Sequence, residues 1–452
     1  MIHKFYMLGV YIVLDVNSGS IYKIDKLAYE MLDLIDETTP ADCPLEVFES
    51  LQAYSKRDVE TTYNELYELI SSNQLFTEEI IIDNFEKYSK NLPLKAVCLN
   101  VAHSCNLKCD YCFASKGDYT TGKILMSLEV GKKAIDYCIE NSGNRHNIEI
   151  DYFGGEPLLN FDVVKEITEY AKKQGEIHNK HFRFTITTNG VLLDDDKIKY
   201  INEEMSNVVL SLDGRKEVND KIRKTYNDDS CFDTIVPKFQ KLVKARGDKE
   251  YYVRGTFTKY NLDFTNDVLK MHELGFKHLS VEPAISNEKE DYSITSENID
   301  EICLEYEKLL KILIDKKRNG EEINFFHFLI DIDGGPCAIK RTKGCGSGTE
   351  YICVTPEGNI YPCHQFVGKE EFIMGNVFEK KINSDIKNTF ENANLINKDD
   401  CNDCFSKYYC SGGCNANNFN FNNDTKVPYE LSCKLQKKRL ECSLALKVLL
   451  QN

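Results

Sequence analysis

The chain has 452 residues, enough for two or three domains, each with its own core. Its net charge of −16 excludes a general nucleic-acid binder and points to soluble partners. The opening, Met1 to Met7, lacks the apolar stretch of a secretory signal, and no apolar run is long enough to span a bilayer. No membrane association is expected, and a cytoplasmic location is the default. Eighteen cysteines in such a chain point to metal ligation rather than disulfides.

The first ninety residues stand apart. Phe5 to Val16 and Ile21 to Ile24 are rich in β-formers, separated by the turn Asn17-Ser18-Gly19-Ser20. Helical patterns follow over Leu27 to Ile35, Pro44 to Tyr54 and Arg57 to Asn73. The last places Val59, Tyr63, Leu66, Leu69 and Ile70 on one face. A hairpin plus three helices predicts a winged-helix-like module over 1–90. It resembles the peptide-recognition element of enzymes that modify ribosomally made peptides, where a leader peptide adds a strand to the module's sheet. A DNA-binding winged helix has the same outline but needs a dense basic helix, which is missing here.

From residue 91 to 325 strands alternate with helices. The strand-like runs are Ala96 to Val101, Ile148 to Phe153, Arg183 to Thr187, Asn207 to Leu212, Tyr251 to Thr258 and His278 to Val281. Six β/α units predict an α/β fold with a parallel sheet curled into a partial (β/α)6 barrel, its chemistry at the C-terminal ends of the strands. Residues 286 to 325 are charged and mostly helical, a bridge to a last domain over 326–452. That domain shows little apolar periodicity before Leu431, so metal sites are expected to replace a conventional core there.

Eleven cysteines fall into two dense groups. The first, Cys105-x3-Cys109-x2-Cys112, follows the first barrel strand. Three thiolates so close can grip three irons of a four-iron cluster and leave the fourth iron open to chelate a small molecule. The second group runs Cys337, Cys345-x12-Gly358-x4-Cys363, Cys401-x2-Cys404-x5-Cys410-x3-Cys414, then Cys433. Structural zinc is the alternative for its C-x2-C pair. Cys43, Cys98, Cys138, Cys231, Cys303, Cys353 and Cys442 fit neither pattern and are expected to be small buried hydrophobes. Gly154-Gly155-Glu156-Pro157 follows the second strand. Its glycines let a ligand approach the backbone, and Glu156 offers an acceptor for an ammonium group.

The C-x3-C-x2-C loop with Tyr111 before its last cysteine, and the Gly-Gly-Glu-Pro turn one unit later, resemble the radical S-adenosylmethionine (SAM) enzymes. The seven C-terminal cysteines resemble their SPASM domain. The order of parts, together with Met1-Ile2-His3-Lys4-Phe5, Leu14 to Gly19 and Tyr361 to Gly368, is similar to the clostridial maturases of SCIFF peptides (six cysteines in forty-five residues). The resemblance covers nearly the whole chain. It implies SAM and three [4Fe–4S] clusters. Cys105, Cys109 and Cys112 would hold the SAM-binding cluster. Cys345, Cys363 and Cys414 would hold a first auxiliary cluster, completed by Cys337 or by a substrate thiolate. Cys401, Cys404, Cys410 and Cys433 would hold a second. Tyr111, Gly154, Gly155, Glu156, Thr188 and Asn189 would line the SAM site. Ser211 and Asp213 would face the ribose of SAM, and Arg223 or Arg254 its carboxylate.

The implied activity is thioether formation between a cysteine sulfur and a carbon of a cysteine-rich precursor peptide, initiated by a 5′-deoxyadenosyl radical. An external electron donor such as flavodoxin or ferredoxin and an anaerobic host are implied with it. Anaerobic sulfatase maturation is a rival within the family. Those enzymes lack a leader-binding module and carry an aspartate base where His364 follows Cys363 here. Carbon–carbon crosslinking and epimerisation share the domain plan. A non-catalytic iron–sulfur electron carrier or peptide adaptor is the alternative from another class, but it would need no Gly-Gly-Glu-Pro turn.

Overall fold

A computed structural model describes residues 1–79, 90–331, 342–379 and 381–451. The N-terminal module is a three-stranded antiparallel sheet, β1 (Ile2–Met7), β2 (Val10–Asp15) and β3 (Ile21–Ile24), in the order β1-β2-β3. The run Phe5 to Val16 is therefore two strands rather than one. Leu8 and Gly9 turn it back with φ of 47° and 87°, the left-handed pair that a tight hairpin requires. Helices Lys26–Met31, Leu45–Ser50 and Lys56–Ser71 follow. The last is capped by Ser55, whose hydroxyl accepts from the Asp58 N–H. β2 is apolar on both faces for a physical reason. Val13 packs with the module's helices, while Ile12 and Leu14 join the main core of the protein.

The barrel strands are β4 (Ala96–His103), the short β5 (Ile124–Leu125), β6 (Asn147–Gly154), β7 (His181–Thr188), β8 (Asn207–Ser211), β9 (Tyr252–Phe257) and β10 (His278–Pro283). Six of them run parallel in the order β4-β6-β7-β8-β9-β10, and β5 pairs antiparallel with β4. β11 (Asn324–Phe325) extends the sheet beyond β10. Every residue of β4 is buried, as a central parallel strand demands.

The sheet does not stop at β4. β12 (Tyr351–Val354) adds to its free edge in parallel, then β13 (Asn359–Tyr361) and β14 (Gly375–Asn376) follow antiparallel. Cys353 stands opposite Cys98 in this register, so the off-pattern Cys353 is a strand residue inside the fused sheet. The C-terminal region also has an apolar core that its sequence does not announce. Phe366, Phe372, Phe390 and Phe419 meet with ring centroids 4.4 to 6.1 Å apart. The helix Glu430–Leu450 then packs along Ile299–Arg318 and closes the domain onto the barrel.

The N-terminal module sits against the C-terminal cysteine segment. The His3 ring stacks on Phe405 at 3.4 Å, and its Nε2 lies 3.1 Å from Glu441. Lys407 pairs with Glu79 at 2.7 Å. Among the described residues no helix is long and apolar enough to cross a membrane.

Candidate functional site

β4 ends at His103, and the cysteine loop begins two residues later at the C-terminal end of the strand. The loop is stitched to the segment behind the helix Lys216–Ile222. The Lys108 N–H donates to the Lys224 carbonyl at 2.8 Å, and Leu107 bridges to Thr225. Cys105 Sγ accepts from the Leu107 N–H at 3.4 Å and from Asn189 Nδ2 at 3.6 Å. Burial pushes the Cys105 thiol up to about 12, with the charges of Glu156 and Cys112 adding to it. Burial raises Cys109 too, against the pull of Arg223 and with Cys105 and Cys112 adding to it.

The Gly-Gly-Glu-Pro turn packs onto this loop. The Gly155 N–H donates to the Ala102 carbonyl at 2.8 Å and the Glu156 N–H to the Ser104 carbonyl at 2.9 Å. A Cβ on Gly154, whose φ is +129°, would sit 2.4 Å from the Ala102 oxygen, and one on Gly155 would sit 2.3 Å from the Ser104 oxygen. The close approach these glycines permit on their Cβ side is thus to β4 and the cysteine loop. Glu156 is likewise engaged. It is 1% exposed, Oε1 accepts from Thr188 Oγ1 and the Leu158 N–H, and Oε2 accepts from the Asn189 N–H at 2.8 Å. Burial pushes its carboxyl up to about 7 against these bonds. Its carboxylate braces the turn rather than standing free to receive an ammonium group. Thr188 and Asn189 belong to the same brace, with Asn189 Nδ2 also donating to Asn106 Oδ1 at 2.8 Å.

Asp213, expected from the resemblance to face the ribose, lies inside a hydrogen-bond network. It is 1% exposed and its oxygens are taken. Tyr111 Oη donates to both at 2.8 and 3.0 Å, Arg223 Nε and Nη2 donate at 2.9 and 3.1 Å, and the Thr256 N–H donates at 2.9 Å. Asp213 therefore positions Tyr111 and Arg223, which themselves line a cavity of about 610 Å³. Ser211 and Arg254 line the same cavity. Arg254 lies 3.9 Å from Glu282, another wall residue, whose carboxyl is drawn down to about 2; burial opposes this, and His327, Arg439 and Arg254 outweigh it.

The C-terminal domain also lines that cavity, with Cys410, Cys414 and Cys433 among its lining residues. The C-terminal thiols lie close enough to act on one another electrostatically. Cys363 feels Cys414, Cys345 and also Cys98, and Cys414 feels Cys345. Cys401 feels Cys410 and Cys404, and Cys433 feels Cys410, Cys401 and Cys404. Burial is the larger cause of each raised thiol, reaching about 11 at Cys401 and about 12 at Cys433. Every described cysteine is free of disulfides. Thiols gathered in this way, most of them at least partly buried, are unfavourable as thiolates until a metal takes up their charge. The three sets, 105/109/112, 345/363/414 and 401/404/410/433, have the donor chemistry of iron–sulfur ligation and could each hold a cluster. Among the described residues no three His, Cys, Asp or Glu side chains converge as one metal ion would require, and cluster ligands each bind a different iron. Cys337 lies outside the described residues.

Two residues were not singled out as site residues from the sequence. His364, directly after Cys363, lines the cavity between Phe113 and Phe153, with ring centroids at 5.3 and 5.0 Å, and its Nδ1 lies 3.2 Å from Tyr351 Oη. A polar residue next to a ligand candidate was the available signal. Lys398 is the other; it lies buried among the C-terminal cysteines, and nothing in the local pattern distinguishes it.

A radical SAM superfamily profile matches residues 99–256, and an iron–sulfur cluster-binding domain profile, SPASM, matches 345–405. The chain belongs to the radical SAM superfamily. S-adenosylmethionine and iron–sulfur clusters are the cofactors of this radical SAM/SPASM pairing. The chain is 25% identical to a cysteine-type anaerobic sulfatase-maturating enzyme of Clostridium novyi (strain NT) over 343 residues, 71% of this chain and 88% of the relative. It is 24% identical to the antilisterial bacteriocin subtilosin biosynthesis protein AlbA of Bacillus subtilis (strain 168) over 374 residues, 80% of this chain and 75% of the relative. Its fold is similar to that of Streptococcus suis SuiB in a crystal structure with the precursor peptide SuiA. The TM-score is 0.54 and the identity 14%, over 95% of this chain and 98% of that one. The likeness to SuiB extends across the radical SAM partial barrel and the SPASM domain.

Proposed function

We propose that this radical SAM/SPASM enzyme modifies peptides and installs thioether links between cysteine sulfurs and carbon atoms of a cysteine-rich precursor peptide, as a SCIFF-type maturase of the sactipeptide or ranthipeptide class. In this reading residues 1–90 recognise the leader, 91–325 are the radical-generating barrel and 326–452 carry the auxiliary clusters. β1 and β3 each keep an edge without a strand partner among the described residues, and a leader strand would add there. Cys105, Cys109 and Cys112 would hold the SAM-binding cluster. Cys345, Cys363 and Cys414, with Cys337 or a substrate thiolate, would hold one auxiliary cluster, and Cys401, Cys404, Cys410 and Cys433 the other. Flavodoxin or ferredoxin would deliver electrons. The cofactors, when bound, supply a radical able to take hydrogen from an unactivated carbon.

The observation that carries this reading is the shared cavity. Tyr111, Ser211, Arg223 and Arg254 of the barrel line it together with Cys410, Cys414 and Cys433 of the C-terminal domain. A peptide segment in the cavity meets both groups at once. Arg223, held by Asp213, and Arg254 offer cationic contacts for a carboxylate. Joining a thiol to a carbon radical releases one proton and one electron, and His364 presents an imidazole on the cavity wall to take the proton. The sulfatase-maturating relative keeps formylglycine formation as the second reading. His364 in place of an aspartate, and the additional N-terminal module, favour the thioether.

The test is mass spectrometry of a six-cysteine precursor peptide after anaerobic incubation with reconstituted enzyme, SAM and reductant. Loss of two hydrogens per link, resistant to thiol reduction and alkylation, is expected. Cleavage of SAM with every peptide thiol still free would refute the thioether assignment.

A further inference from the structure

Lys398 is 1% exposed and ranks among the largest fully buried side chains of the protein. A buried ammonium is costly unless a counter-charge compensates it. Its Nζ donates to the Gly412 carbonyl at 2.6 Å and to Asn415 Oδ1 at 3.2 Å, and among the described residues no carboxylate is among its partners. The negative groups that act on it include Cys401, Cys410 and Cys433 of one set and Cys414 of the other. The segment Cys410-Ser411-Gly412-Gly413-Cys414 runs from the second set to the first, and Lys398 binds its midpoint. A Cβ on Gly412, where φ is +82°, would lie 2.6 Å from Lys398 Cδ and 3.0 Å from Nζ, so the missing side chain makes room for the lysine. Asn415 is oriented in turn by donating to Ser347 Oγ at 3.1 Å. Lys398 also ties the backbone, its carbonyl accepting from the Cys401 N–H at 2.9 Å.

We propose that Lys398 is a positioning residue that acts as the shared counter-charge of both auxiliary clusters and raises the reduction potential of each. The inference rests on the reading of these two cysteine sets as cluster ligands. A cysteinate-ligated cluster is anionic, and each added electron deepens its charge. A fixed cation between two such centres stabilises their reduced forms and makes both better electron acceptors. Burial pulls the lysine's pKa down, and the surrounding cysteines oppose that shift.

The test compares wild type, Lys398→Met and Lys398→Arg as anaerobically reconstituted full-length holoenzyme. Iron and sulfide are quantified, and the auxiliary centres are titrated potentiometrically with electron paramagnetic resonance as the readout. Lys398→Met with full iron is expected to lower both potentials by at least 59 mV, tenfold in the one-electron reduction equilibrium. Lys398→Arg should stay within twofold of wild type. Full iron in Lys398→Met with both equilibria within twofold of wild type overturns the proposal, and a shift confined to one centre overturns the shared role. If Lys398→Met loses auxiliary iron, retention by Lys398→Arg supports the charge argument, and equal loss in both variants overturns it. Wild type that binds only about four irons per chain overturns instead the underlying reading of the ligand sets.

Discussion

The strongest prediction concerns Asp213→Asn. The carboxylate has no solvent exposure and receives two bonds from Arg223, two from Tyr111 and one from the Thr256 N–H. Neutralising it leaves the guanidinium of Arg223, only 10% exposed, without a counter-charge and turns an amide N–H₂ toward the donors. Breaking one partner of a buried ion pair costs about 3–5 kcal/mol, because the other charge remains desolvated. Arg223→Met should cost a similar amount for the mirror reason. The double variant should be much milder than the sum, with a coupling of up to about 3 kcal/mol. Urea unfolding of the four apo proteins, followed by far-ultraviolet circular dichroism, measures this cycle. Equilibrium dialysis of the reconstituted proteins should show weakened SAM retention in both single variants, since Arg223 loses its fixed orientation. If Asp213→Asn unfolds within about 1 kcal/mol of wild type, or the two substitutions are additive, the pair does not organise this wall of the cavity.

Gly154→Ala should be poorly tolerated, because its Cβ would fall 2.4 Å from the Ala102 oxygen at a φ reserved for glycine. Strain of about 1–3 kcal/mol plus the clash should displace the cysteine loop and remove about four irons per chain on reconstitution; unchanged iron content would refute the packing argument. Glu156 has a folded pKa raised to about 7. Its folded form therefore holds a proton that the unfolded chain releases at about pH 4.3, so this group's contribution to stability falls as pH rises from about 4.3 to about 7, by roughly 4 kcal/mol. Glu156→Gln should accordingly gain stability relative to wild type over that window, and a pH-independent difference would contradict the burial argument. His364→Gln should leave uncoupled SAM cleavage intact while slowing link formation about 10²–10⁴-fold, with the loss eased at high pH where the substrate thiol ionises unaided. Equal losses of both activities would remove His364 from the proton-transfer role.

The six parallel strands and the site of the cysteine loop were legible in the sequence because each depends on local pattern. A buried parallel strand is a short apolar run, and β4 and β6 to β10 begin and end within about three residues of those runs. Leu8-Gly9 escaped notice because a two-residue hairpin inside a continuous β-forming stretch leaves almost no compositional trace. Cys105, Cys109 and Cys112 meet through chain proximity alone. The partners of Cys345 and Cys401 are different in kind: the two C-terminal sets that family likeness implies interleave over nearly ninety residues, so no local spacing pairs them. The fate of the charged groups was likewise a tertiary matter. Sequence marks Glu156 and Asp213 as acids at strand ends, a position suited to ligand contact. The fold turns both inward, where Thr188, Asn189, Tyr111 and Arg223 satisfy them. Lys398 reads as an ordinary surface lysine until the fold buries it against Gly412 and Asn415. Burial, which decides whether a charge is a surface ornament or a fixed field, is a property of the whole packed chain and not of any segment of it.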